Sequence, residues 1–246
     1  MTANRVNTRA AITVLAGLAA VLLVTALVAA FIIAPPEMEM GDVQRIFYFH
    51  VASAWTAFLA FFVVLVSSIL YLRTRLTKWD ILATSAAEIG VVFTTVTLLS
   101  GSVWARSAWG TWWTWEPRMT TTLMLWLIYV AYLLLREMAE DPERRGVFAA
   151  VFGIAAFADV PIVFMSVRWW RSLHPAVVTE EGFNMDPMML PALFLSLAAF
   201  TTLFAYMLLV RARLGQSESI LAAFRQRLYL EDEGAEEYRE VVTGTR

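Results

Sequence analysis

The chain alternates between long apolar stretches and short polar ones. A helix that crosses the hydrocarbon core of a bilayer needs roughly 20 apolar residues, and six stretches meet that length. They cover approximately residues 10–34, 49–72, 81–103, 119–135, 147–167 and 188–210. The first follows Arg5 and Arg9 but is too long for the apolar region of a signal peptide, so we interpret it as an uncleaved span. The pattern predicts an all-α, polytopic integral membrane protein with six transmembrane helices.

Composition supports this prediction and limits the possible chemistry. Of the 246 residues, 59% are apolar and only 16% are charged, which is typical of a membrane protein. A formal charge of -2 gives no indication of a nucleic-acid partner. The sequence contains no Cys, which excludes disulfides, thiolate nucleophiles and Cys-based metal sites. Any metal ligand must therefore be nitrogen, oxygen or thioether.

Basic residues are distributed unequally between the two sets of loops. The segments on the side of the two termini carry 14 Lys and Arg, whereas the other loops carry five: Arg45, Arg106, Arg118, Arg168 and Arg171. Because cytoplasmic loops retain positive charge, both termini are predicted to be cytoplasmic. SILAAFRQRLYLE predicts a short amphipathic helix in the tail. The predicted organisation is a transmembrane domain over 1–210 and a cytoplasmic tail over 211–246.

One loop on the predicted outer side is rich in tryptophan. The segment WARSAWGTWWTWEPRMTTT, residues 104–122, contains Trp104, Trp109, Trp112, Trp113 and Trp115. An aromatic belt that anchors helices would occupy both interfaces, but the inner side has only Trp79. A local helix would align four residues on one stripe: Trp109, Trp112, Trp113 and Glu116. We interpret the loop as a platform for a large planar ligand, with a plain interfacial anchor as the alternative.

The only two histidines, His50 and His174, also fall on the predicted outer side. A single His at a helix end is more often a hydrogen-bonding or interfacial residue than a ligand. Two imidazoles beside aromatic walls, however, suit the axial coordination of a haem iron, with Arg side chains pairing with the propionates. A metal site without haem is less favoured, because no carboxylate cluster lies near either His.

Three segments carry a resemblance to a known family. WGTWWTWEPRMTT, preceded by SGSVWA, resembles the tryptophan-rich "WWD" signature of the haem-handling membrane proteins of cytochrome c maturation. RIFYFHVASAW around His50 and DVPIVFMSVRWWRSLHPA around His174 resemble the two histidine segments of one branch, the haem exporter protein C family, CcmC. The resemblance covers about residues 40–210. The chain length and six spans favour this branch over the larger relatives CcmF and CcsA.

The resemblance implies a haem-binding protein that is not an enzyme. It implies haem b held at the outer, periplasmic face of the inner membrane, with His50 and His174 as axial ligands of the iron. The signature loop is matched by Trp109, Gly110, Trp112, Trp113, Trp115 and Arg118. Further candidates around the cofactor are Glu116, Arg45, Trp169 and Trp170. Two positions depart from the family pattern, because Glu116 stands where Asp is usual and Ala52 where Pro is common.

The resemblance also implies partners. These are the haem chaperone CcmE, which receives the haem, the ABC transporter pair CcmA and CcmB, the small subunit CcmD and the lipid membrane. The alternative function is a solute permease or a structural membrane subunit. A transmembrane electron carrier is disfavoured, because two His on one face can hold at most one bis-His haem. Glu88 and Asp159 lie within spans, and each either ties helices together or belongs to a haem or proton path.

Overall fold

A computed structural model describes residues 2–38, 40–138, 141–180 and 182–243 of the chain. Within these residues, six helical segments are long and apolar enough to cross a membrane. They are Arg9–Ile33, Asp42–Thr74, Thr77–Trp109, Pro117–Met138, Arg144–Trp169 and Pro187–Tyr229. The prediction of an all-α, six-span membrane protein is confirmed.

The helices include the predicted spans and extend beyond them. The main helices are α1 (Thr2–Val28), α2 (Ile46–Thr74), α3 (Thr77–Trp109), α4 (Pro117–Met138), α5 (Pro142–Ala156), α6 (Asp159–Trp169) and α7 (Leu190–Thr243). A π-helix, Ala29–Ile33, continues α1, and 3-10 turns, Asp42–Arg45 and Pro187–Met189, precede α2 and α7. A short antiparallel hairpin, β1 (Val178–Thr179) and β2 (Gly182–Phe183), pairs Val178 with Phe183. We call the end of the bundle with this hairpin, His50 and the α3–α4 loop the histidine end.

Small residues allow the central helices to approach closely. α2 and α3 form the most extensive helix pair and are separated by a tight turn at Arg75, which adopts a left-handed conformation with φ of 56°. The central core between them contains several buried alanines and the ring of Phe61, which stacks on Tyr129. A Cβ at Gly90 would collide with the Phe61 ring, so only glycine fits there. Packing of this kind replaces the hydrophobic effect as the main attraction between helices in lipid.

The fifth span is broken in the middle, between α5 and α6 at residues 157–158. Pro161 lies in the first turn of α6. The N–H groups of a first turn have no partner within the helix, so the N–H that proline lacks costs no intrahelical hydrogen bond. α5 packs against α2 and α4, whereas α6 packs mainly against α4. Asp159 is buried in the first turn of α6, and its Oδ2 has no hydrogen-bond partner among the residues that the structure describes. The break therefore separates the outer half of this span from α2.

Two ion pairs, one largely buried and one about one-third exposed, tie helices together toward the opposite end of the bundle. The guanidinium of Arg136 on α4 donates two hydrogen bonds of 2.7 Å to the carboxylate of Asp80 on α3. Arg211 on α7 donates to Glu88 on α3 at 2.5 and 2.8 Å. The second pair supports the helix-tying interpretation of Glu88.

The tail does not form a separate helix within the described residues. α7 continues without interruption from Leu190 to Thr243, and Gly215 alone does not end it. The apolar side chains of the predicted amphipathic segment are exposed along this extension: Ile220, Leu221, Phe224 and Leu228. No interruption of the helix therefore marks the predicted domain boundary at residue 210.

Removing one partner of the Asp80–Arg136 pair should destabilise the fold. The Asp80 and Arg136 side chains are only 14% and 10% exposed, so Asp80→Asn leaves a buried cation without its partner. The expected loss of stability is about 3–5 kcal/mol, measured as a lower melting temperature in detergent. The double change Asp80→Asn with Arg136→Met should recover part of the loss. Asp42→Asn, whose side chain is 82% exposed, is the control and should change little. An Asp80→Asn protein as stable as the parent would contradict this account.

Candidate functional site

A cavity of about 380 Å³ lies at the histidine end of the bundle. Its walls come from α2, α3, α4, α6, α7 and the segment that follows α6. Apolar side chains dominate the lining, and the few polar groups include the two histidines, Arg118 and Arg168. This size and composition are typical of sites that bind small molecules or cofactors.

His50 lies in the second turn of α2 and is held by α3. Its Nδ1 is 3.0 Å from the Ser100 hydroxyl, and that hydroxyl donates its own hydrogen to the carbonyl of Val96 at 2.7 Å. With the serine hydrogen on the Val96 carbonyl, Ser100 accepts from Nδ1–H of His50, and we assign the tautomer in which the Nε2 lone pair is available. A Cβ at Gly101 would lie 3.0 Å from Cε1 of His50. Glycine at this position gives the imidazole its space.

His174 lies in the irregular segment after α6. Its Nδ1 is 3.1 Å from the carbonyl of Pro175, which can only accept, so here too the hydrogen is on Nδ1 and Nε2 is free. Burial lowers the pKa of His174 from 6.5 to about 4, and the positive charge of Arg118 contributes to the same effect. The ring is therefore neutral at pH 7. A neutral imidazole with a free nitrogen is the form that binds a metal.

The two imidazoles face the same cavity. Their ring centroids are 6.2 Å apart and their planes are inclined by 33°. Two imidazoles that share one metal, with metal–nitrogen bonds of about 2.0 Å, would have centroids roughly 6 Å apart. No group of three or more His, Cys, Asp or Glu that could hold a metal occurs among the described residues. The spacing therefore fits a metal whose other ligands come from a cofactor, as in a porphyrin.

Glu116 is buried beneath the cavity and connects two elements of its wall. One carboxylate oxygen accepts from the backbone N–H of Met119 at 2.6 Å and caps the start of α4. The other accepts from the hydroxyl of Ser172. Ser172 in turn accepts from the backbone N–H of His174 at 3.1 Å. Glu116 does not line the cavity, so the structure assigns it to positioning the His174 segment.

The tryptophan-rich loop is not helical, and the predicted stripe of Trp109, Trp112, Trp113 and Glu116 is wrong. α3 ends at Trp109 because Gly110 adopts the left-handed conformation, with φ of 74°, that terminates helices. Pro117 disfavours helix in the residue before it, and α4 begins only there. Residues 110–116 are irregular in between.

The loop divides its tryptophans between the cavity and the surface. Trp109 and Trp113 line the cavity, whereas Trp112 and Trp115 are 58% and 70% exposed and do not line it. Trp115 is turned outward at a residue with φ of 56°, a conformation that is rare outside glycine. The sequence alone does not distinguish these four tryptophans as candidate ligand-binding residues. The irregular backbone places two of them at the cavity and two at the surface.

The arginines are divided in the same way. Arg118 lines the cavity, where one nitrogen donates to the carbonyl of Phe164 at 3.2 Å and the other lies 3.5 Å from Nδ1 of His174. Arg168 also lines it. Arg45 does not, because it donates to Asp42 at 2.8 Å and to the carbonyl of Ala30 in the π-helix at 2.5 Å. The candidates Trp169 and Trp170 are exposed and lie outside the lining as well.

Sequence reasoning included Trp104 and Trp109 in the tryptophan-rich loop but did not identify the face of α3 that continues below them. Trp104 lines the cavity with its ring centroid 6.3 Å from that of His174, and its edge-to-face partner at 5.1 Å is Trp109. Thr97, Gly101 and Trp104 line the cavity at helical offsets of 0, 4 and 7. That spacing defines one face of a helix, so it was available in the sequence.

Known proteins match most of the chain. Residues 2–224 match the family model described as Heme exporter protein C. Heme exporter protein C of Bradyrhizobium diazoefficiens is 36% identical over 183 residues, which are 74% of this chain and 70% of that protein. Heme exporter protein C of Paracoccus denitrificans is 32% identical over 212 residues, 85% and 88% of the two chains. The Escherichia coli K12 protein of the same name is 32% identical over 180 residues, 73% of each.

Ser172→Ala should loosen the segment that carries His174. The change removes the acceptor for the His174 N–H and a hydrogen bond to the buried Glu116 carboxylate, about 1.5–3 kcal/mol for a bond to a charged group. Amide hydrogen exchange of residues 171–178, followed by mass spectrometry in detergent, should accelerate roughly tenfold or more. Ser107→Ala removes only a long 3.5 Å bond on α3 and is the control. Unchanged exchange in Ser172→Ala would show that the network does not hold the segment.

Proposed function

This chain belongs to the haem exporter protein C family, and we propose on that basis that it holds haem between His50 and His174 during cytochrome c maturation. The observation that carries the proposal is the pair of imidazoles whose ring centroids lie 6.2 Å apart in one aromatic cavity. A porphyrin supplies four nitrogens to its iron and needs two more from the protein, which matches this pair. Haem is the transported molecule, and haem b is its proposed chemical form.

Aromatic walls and two cations complete the proposed site. Trp104, Trp109 and Trp113 line the cavity and offer flat faces or edges to a macrocycle. Arg118 and Arg168 are the cationic side chains of the lining, so they are proposed to pair with the two propionates. Arg45 is excluded from this role here, because the π-helix carbonyls already occupy it. Four exposed tryptophans at the histidine end do not line the cavity, and they are proposed to contact the membrane interface or a partner: Trp112, Trp115, Trp169 and Trp170.

The histidine end is proposed to face the periplasm. The support is the excess of Lys and Arg in the loops and termini of the opposite end, which favours the cytoplasm for that end. In this orientation both termini and the extension of α7 are cytoplasmic. The site then lies in the outer half of the inner membrane, where a periplasmic partner can reach it.

Delivery to the chaperone CcmE, beside CcmA, CcmB and CcmD, is proposed from the family alone. The two ligands differ in a way that suits delivery. His50 is fixed on a transmembrane helix, whereas His174 is on an irregular segment held through Ser172 and Pro175. The chain need only bind, orient and release its cargo, and it supplies no chemical step of its own.

Substitution of either histidine tests the proposal. The wild-type protein, purified in detergent and supplied with haem, should show the optical spectrum of low-spin, six-coordinate iron. His50→Ala and His174→Ala should each lose one ligand and shift the iron to high spin, and free imidazole should restore the low-spin spectrum. A wild-type protein that takes up no haem would refute the proposal and favour a permease or structural subunit.

The tryptophan loop provides a matched pair of variants. Trp113→Ala removes an indole from the cavity, whereas Trp112→Ala removes one that is exposed outside it. Aromatic contacts contribute about 0.5–1.5 kcal/mol beyond their buried area, so Trp113→Ala should weaken haem retention roughly tenfold. The dissociation rate, measured by transfer to an excess of apomyoglobin, should be unchanged in Trp112→Ala. Equal effects of the two changes would mean that the loop acts as an interfacial anchor.

A further inference from the structure

The cavity extends well below the two histidines. Its lining continues along α2 from His50 to Phe58, eight residues further, which at 1.5 Å per residue is about 12 Å toward the membrane centre. At this depth the other walls include Val163 of α6 and Leu197 of α7. This lower part is apolar and lies within the membrane-spanning segments. The cavity is therefore deeper than the space around the two imidazoles.

One side of the lower cavity is not closed by helix packing. α6 packs mainly against α4, and α7 packs against α1, α2 and α3. Across the described residues, α6 and α7 are not packed along one another, although both line the cavity. The break in span five accompanies this separation, because α5 packs against α2 whereas α6 packs mainly against α4. The cavity therefore occupies the space between α6 and α7.

The β1–β2 hairpin covers this space only from above. Arg168, near the end of α6, donates to the carbonyl of Val178 at 3.0 Å, which attaches β1 to α6. Phe183 of β2 meets Phe194 of α7 edge to face, with centroids 5.6 Å apart. The hairpin thus bridges the two helices at the histidine end. Below it, the space between the two helices lies at the depth of the membrane-spanning segments.

Apolar side chains border this space. Trp55 and Phe164 both line the cavity, yet each is 49% exposed, so they lie where the cavity meets the surface of the bundle. Trp55 is held in place by a 3.1 Å hydrogen bond from its indole N–H to the hydroxyl of Thr201 on α7. Such a border is suited to lipid chains and to apolar ring systems, and unsuited to hydrated solutes.

We propose that the space between α6 and α7 is a side entrance through which the cargo passes directly between the outer leaflet and the cavity. This inference rests on the proposed function. Haem is a flat amphiphile with two carboxylates on one edge, so it dissolves in a bilayer with that edge toward the headgroups. Arg118 and Arg168 line the cavity at the histidine end, the headgroup side of this route. The cargo can therefore slide in sideways while its carboxylates stay at one depth.

Two neighbouring residues of α7 allow a matched test. Leu197 lines the cavity, whereas Ala198 is exposed on the surface and does not line it. Wild-type protein, Leu197→Trp and Ala198→Trp would be reconstituted in phosphatidylcholine vesicles and mixed with vesicles that carry haem in their bilayer. The rate and the final amplitude of the low-spin spectrum would be recorded. Leu197→Trp should load at least tenfold more slowly, and Ala198→Trp should match the wild type in rate and final spectrum. Because Leu197 lines the cavity, the final spectrum is judged on the bridged protein described next.

A reversible bridge across the entrance provides the second measurement. The chain has no Cys, so in Phe164→Cys/Phe194→Cys a reducible bis-methanethiosulfonate reagent can join only these two positions. Bridging should slow loading relative to the same double-Cys protein before the reagent is added, and reduction of the bridge should restore the rate of that protein. The bridged protein also tests the side entrance if Leu197→Trp perturbs folding or the final spectrum.

The outcomes separate the two proposals. Loading of Leu197→Trp and of the bridged protein at the wild-type rate, with a normal low-spin spectrum, would overturn the side entrance and leave the haem site intact. A wild-type protein that never acquires a low-spin spectrum would instead overturn the proposed function. Slow loading in both blocked proteins, with a normal final spectrum in the bridged one, would support the side entrance.

Discussion

A helix inside a bilayer cannot give up backbone hydrogen bonds to make room for a ligand, because no water replaces them. This constraint governs how the cavity is formed. The fifth span is interrupted at residues 157–158, and Pro161 lies where a helix has no bond to lose. α5 keeps its contacts with α2 and α4, while α6 leans on α4 and leaves space beside α2. Around the cavity, the helical walls remain regular, and irregular backbone occurs at the break and in the loops at the histidine end.

The buried carboxylate of Glu116 connects the two loops of that end. It caps α4 through Met119 and accepts from Ser172, which accepts from the His174 N–H. The position of an imidazole on an irregular segment is thereby fixed to the start of a transmembrane helix. The longer Glu side chain, where the family signature usually has Asp, performs this capping here. The Glu116 carboxylate reaches the N–H of Met119 in the first turn of α4. A negative charge at this helix N-terminus is also stabilised by the helix dipole.

Hydropathy was sufficient to predict the six spans, because a bilayer demands length and apolarity of every crossing helix. The placement of His50 and His174 at one end followed from the same count. Sequence could not separate Trp113 from Trp112, since periodicity has no meaning once Gly110 ends the helix. Arg45 lies outside the cavity lining for a different reason. The carbonyls that it contacts belong to Ala30 in the π-helix and to Ala34 directly after it, and composition gives no sign of such a helix. The separation of α6 from α7 depends on packing between distant elements, which local patterns do not contain.

The hydrogen positions on the two imidazoles have a thermodynamic consequence. When the Nδ1–H of His50 engages Ser100 and that of His174 engages the Pro175 carbonyl, each neutral ring is already in the tautomer that offers Nε2. A ligand that takes both free nitrogens would displace no proton and require no change of tautomer. Its binding equilibrium near neutral pH is then independent of proton activity, in contrast to sites whose ligands must first be deprotonated. Acidification should weaken binding only as the pH approaches the His174 pKa of about 4, where that ring becomes protonated.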